Sequence, residues 1–85
     1  MSLDLQLVKY YFDISATTRA VDTVGSYLSN MTQVRNEALQ KAADFASDVS
    51  CLEEPGAIVV TARNADGLTI LTVSLVCTVA VLAGI

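Results

Sequence analysis

The chain has 85 residues, 53% of them hydrophobic and 16% charged, with a formal net charge of −4. One domain of that length buries too small a share of its surface to hide so much apolar material, which points to self-association or to lipid. The five basic residues, Lys9, Arg19, Arg35, Lys41 and Arg63, are dispersed, and a nucleic-acid surface needs them clustered, so no nucleic-acid partner is expected.

The N-terminal stretch has Asp4 where a secretion signal would carry basic residues, and no apolar core follows, so no cleavable signal peptide is expected. Residues 3–8 alternate, with Leu3, Leu5 and Leu7 on one side, which fits a short strand. Ser2 could equally cap a helix there. The cluster Tyr10, Tyr11 and Phe12 reads as core or subunit packing.

From Ser15, a plausible N-cap, apolar residues recur in steps of three and four at Val21, Val24, Leu28, Met31, Val34, Ala38, Ala42, Phe45, Val49 and Leu52. This spacing predicts one long amphipathic helix over about 15–53, ended by Pro55-Gly56, with Asp22, Glu37, Lys41 and Asp44 away from the seam. Lys41 follows Glu37 by four residues, the order of a favourable surface pair. Gly25 falls inside the pattern and marks a bend or a close contact.

Asn64-Ala65-Asp66-Gly67 is turn chemistry between two apolar runs. It predicts a hairpin over about 57–63 and 68–82. The expected register sets Ile58 against Val73, Val60 against Leu71 and Ala62 against Thr69, with Gly67 at φ > 0 at the tip. Leu71, Val73, Leu75, Cys77, Val79 and Val81 form the apolar row, and Thr72, Ser74 and Thr78 the more polar one. The surplus beyond Val76 needs another strand, from Leu3–Val8 or from a second molecule. The expected fold class is therefore α+β. The alternative is all-α, because the uncharged run Leu68–Ile85 is about long enough for a transmembrane helix.

There is no histidine, the four glycines are scattered, and no Ser or Cys has a visible base partner. The expectation is a non-enzymatic protein with no cofactor, metal or small-molecule substrate. Cys51 beside Glu53 and Glu54 lacks a second thiolate nearby, and Cys51 and Cys77 read as free buried thiols. Asn30-Met31-Thr32 matches a glycosylation sequon by chance inside the predicted helix.

An acidic amphipathic helix followed by an apolar C-terminal segment resembles, in outline, small subunits of filaments, pili and virus coats. The expected function is a structural subunit that self-assembles into a filament, tube or particle with copies of itself or with other structural subunits. Its expected assembly interface is Val24, Leu28, Met31, Phe45, Leu71, Val73, Leu75, Val79 and Val81, with Asn64 and Gly67 shaping the turn. The alternative is a C-terminally anchored single-pass membrane protein serving a larger complex.

Overall fold

The computed structural model describes residues 7–16, 18–47, 56–78 and 80–83. The run Lys9–Ile14, rich in aromatic residues, forms the first strand, β1 (Val8–Ser15), which pairs with neighbours on both edges. Two short strands, β2 (Arg19–Ala20) and β3 (Ser26–Leu28), lie end to end along one edge of β1, opposite Ile14–Ser15 and Val8–Tyr10 respectively. One helix, α1 (Met31–Ala46), follows. The hairpin of β4 (Gly56–Asn64) and β5 (Thr69–Cys77) completes an antiparallel sheet ordered β2-β1-β4-β5. The fold is α+β, with α1 packed on one face of the sheet.

The helix is shorter than its apolar spacing suggests. Residues 18–30 hold two strands and a loop, and Ser15 ends β1 rather than capping a helix. Asn30 is the N-cap: its side chain accepts a hydrogen bond from Gln33 N at 2.9 Å, and Gln33 Oε1 reaches back to the Ser29 N–H at 2.7 Å. The segment before it carries β-branched Thr18, Val21, Thr23 and Val24. Gly25 sits at φ 78°, outside any right-handed helix. Val21, Val24 and Leu28 thus match helical steps by coincidence. Residues 48–55, including Val49, Leu52 and Pro55, lie outside the described residues. The Glu37–Lys41 pair forms on the helix surface at 3.4 Å.

The hairpin forms with its faces sorted as expected, but its register is shifted by two residues. Ile58 faces Leu75, Val60 faces Val73 and Ala62 faces Leu71, and an irregularity after Ala62 brings Arg63 opposite Thr69. A two-residue shift preserves the side-chain alternation, so Leu71 and Val73 still point inward, while next to the irregularity Ile70, expected on the outer face, packs against the core and Thr69 is exposed. At the tip, Asn64 Oδ1 accepts from Asp66 N and Leu68 N, both at 3.0 Å, and Gly67 takes φ 84°. Asn64 O accepts from Gly67 N.

β5 stops at Cys77, and the described residues beyond it are not strand. No described strand pairs with the other edge of β5, so the surplus after Val76 acquires no partner strand within those residues. The all-α alternative gives way: Thr69–Cys77 is a strand paired along its length with β4. Among the described residues no helix is long and apolar enough to cross a membrane. Of the candidate N-terminal strand at 3–8, residues 3–6 are outside the description, Leu7 is not strand, and Val8 begins β1.

The core is a thin layer between α1 and the sheet. Val34, Ala38 and Ala42, one turn apart, meet Phe12, Val60 and Ala62, with Ile58 buried alongside on β4. Alanine at two of the three helix contacts lets the helix backbone approach the strands closely. Tyr10, Ile14, Leu28, Ile70, Leu71 and Val73 close the margins.

Candidate functional site

Three surfaces of this small fold carry chemistry: the outer edge of β1, a groove beside it, and the outer edge of β5. At the first, β2 and β3 leave a gap opposite Phe12. Asp22 fills it. Its carboxylate accepts from Phe12 N at 3.0 Å, and from Val24 N and Gly25 N at 3.0 Å each, standing in for a missing strand carbonyl. Asp13 fastens the same loop from the sheet face opposite α1. Its Oδ1 accepts from Asp22 N at 2.9 Å, and its Oδ2 from Arg63 Nε at 2.9 Å. Arg63 also donates to Asp22 O at 2.9 Å and lies over the Tyr11 ring at 4.6 Å.

Burial alone would raise the Asp13 carboxyl. The Arg63 hydrogen bond, the Asp22 N–H and the charges of Arg63 and Arg19 outweigh it and hold the group below its ordinary value. Burial likewise opposes ionisation of Asp22, and the N–H groups of Gly25, Phe12 and Val24, with the Lys41 charge, prevail and lower it. The Asp13 hydrogen bond raises Arg63 despite some desolvation. Each oxygen of both carboxylates thus has a donor. They serve the loop, and Asp22 is not the solvated helix residue its place in the apolar pattern suggested. Sequence spacing offered no signal for this network, whose members are separated by up to 50 positions.

The groove runs between this loop and α1, about 630 Å³ lined by Phe12, Val21, Val24, Lys41, Asp44 and Phe45 among others. Lys41 Nζ sits 5.7 Å from the Phe12 ring. On the sheet face opposite α1, Lys9 lies between the Tyr11 and Tyr27 rings, at 5.6 and 5.5 Å. The aromatic cluster is therefore divided: Phe12 is buried, Tyr10 packs against the core, and Tyr11 faces away.

The expected assembly residues do not form one seam. Leu28, Leu71 and Val73 pack against the core, under or beside α1. Val24 and Phe45 line the groove. Met31 opens the helix and is exposed, as are Leu75 and Val81. Val79 lies outside the described residues, as do Cys51, Glu53 and Glu54. Asn64 and Gly67 shape the turn as expected. Asn30, the sequon residue, is the helix cap rather than a helix interior position. Among the described residues no group of three or more His, Cys, Asp or Glu is placed to hold a metal ion.

The third surface is the least furnished. β5 carries no charge and no proline, and its outer edge meets no described strand. Its last residues and the segment beyond are apolar and open, with Val76 65%, Val81 75% and Leu82 93% exposed. An edge of this kind is a template for another strand, since no described strand meets its outward N–H and C=O groups. Residues 9–76 match the family described as Domain of unknown function (DUF6894). No curated protein and no solved structure gives a match.

Proposed function

The chain belongs to the DUF6894 family, whose match runs from β1 into β5, and on that frame we propose that it is a non-enzymatic structural subunit that self-associates through its C-terminal strand. The observation that carries this reading is the uncharged strand β5, whose outer edge has no partner among the described strands, together with the exposure of Val76, Val81 and Leu82. A monomer of this size gains nothing from displaying such a segment, and a partner strand would cover both its apolar side chains and its backbone groups. The copies assemble into a filament, tube or particle. Sedimentation velocity in detergent-free buffer tests the reading, together with negative-stain microscopy. The expected result is a species several chains in mass, with ordered assemblies on the grid. A single folded chain at micromolar concentrations overturns it.

A further inference from the structure

Building on that reading, we infer that the primary contact is a two-fold pairing of β5 with β5 of a second copy, antiparallel and centred on Ser74. The irregularity after Ala62 leaves Leu71–Cys77 as the regular part of the strand, and Ser74 is its midpoint. An antiparallel pair keeps each side chain on its own sheet face only if opposed residue numbers sum to an even value. Centring on Ser74 satisfies this and uses the whole regular stretch. Val73 then lies opposite Leu75 on the helix side, and Thr72 opposite Val76 on the other.

The helix supports the same partner. Lys41, Asp44 and Phe45 face the groove on the β1 side, while Val34, Ala38 and Ala42 point down at the sheet. At 3.6 residues per turn, Arg35 and Leu39 fall on the opposite flank, toward β5, with Met31 at its N-terminal end. α1 does contact β5. Met31 is 48% exposed, Leu39 39% and Leu75 41%, so apolar surface continues from the strand edge onto the helix. The acidic residues of α1, Glu37 and Asp44, lie away from this flank.

A two-fold axis perpendicular to the sheet puts both helices on one face with their Leu39 flanks turned toward each other. A chain of net charge −4 repels its copies over most of its surface. Along β5 it presents no charge, and on the helix flank only Arg35 at the rim, so a second copy of this chain is the partner the edge fits.

The test is cysteine crosslinking in the full chain with Cys51→Ser and Cys77→Ser as background. Ser74→Cys places two thiols across the axis at cross-strand spacing, within reach of a disulfide. Mild oxidation should give a covalent dimer from Ser74→Cys in high yield, and little from Thr72→Cys, whose copies are offset along the strands. Leu39→Glu, an exposed helix position that leaves the core intact, should raise the dimer dissociation constant about tenfold or more. A chain that sediments as an oligomer but yields no Ser74→Cys dimer overturns the edge pairing and leaves self-association standing. A chain that stays monomeric overturns both.

Discussion

The two outer edges of this sheet are treated in opposite ways. The β1 edge is closed by two short strands, and its gap is sealed by a carboxylate that takes three backbone N–H groups, itself fastened through Asp13 and Arg63. The β5 edge has none of this. It carries no charge, no proline and no described covering strand, and ends in exposed aliphatic residues. Natural sheets blunt the edges they leave in water. One edge is sealed and the other, among the described residues, is not, and the proposed self-association rests on that difference.

The comparison breaks most completely at Phe12, which joins the sealed edge to the core. Phe12→Ala removes a ring that is 3% exposed and should cost about 3–5 kcal/mol in urea unfolding. A loss below about 1 kcal/mol would mean that the core does not hold β1 as described.

The seal itself comes next. Asp22→Ala leaves three N–H groups without an acceptor and should cost about 1–3 kcal/mol, with faster proteolysis across residues 20–26. Asp22→Asn, which keeps one acceptor oxygen, should cost less. The pH dependence has a defined sign. The folded-state values of Asp13 and Asp22 lie below the ordinary 3.8. Their contribution is therefore complete above that value and is lost as pH falls through the lowered ones. Acid titration of the Asp13→Asn, Asp22→Asn double variant should show a shallower fall below about pH 4 than the parent. An unchanged slope would contradict the network.

Two glycines sharpen the contrast at smaller cost. Gly25 lies in the sealed loop at φ 78°, where an added Cβ would sit 2.8 Å from Lys9 Cε and 3.1 Å from Tyr10 O. Gly67 at the hairpin tip has φ 84° and open space around it. Thermal melts should place Gly25→Ala at about 2 kcal/mol and Gly67→Ala at about 1 kcal/mol. Equal losses would mean that the crowding at Gly25 relaxes freely.

The smallest effect on stability belongs to the bare edge. Val76→Lys should change the unfolding free energy of the single folded chain by less than about 0.5 kcal/mol. If the chain self-associates through β5 as proposed, the same change should abolish that association in sedimentation, because it adds the kind of charge that protects edges elsewhere. A variant that still assembles places the interface elsewhere.

Read alone, the amino-acid sequence settled what depends on neighbours a few positions apart. Turn chemistry at Asn64–Gly67 located the hairpin, period-two alternation assigned its faces, and the Glu37–Lys41 spacing located a surface pair. The helix α1 is legible because Val34, Ala38 and Ala42 repeat in strict steps of four. Across residues 18–30 the helical spacing misleads, since the steps through Val21, Val24 and Leu28 arise by chance in a segment of short strands and loop. The β-branched Thr18, Val21, Thr23 and Val24, Gly25 and the helix cap at Asn30 are the local signals against them. Tertiary structure alone decided the pairing of β1 with β4, the two-residue register shift, and the meeting of Asp13 with Arg63 across 50 positions. It also decided which apolar residues become core and which stay at an open edge. Those outcomes depend on the layering of strands and helix, and periodicity describes a face without saying what lies against it.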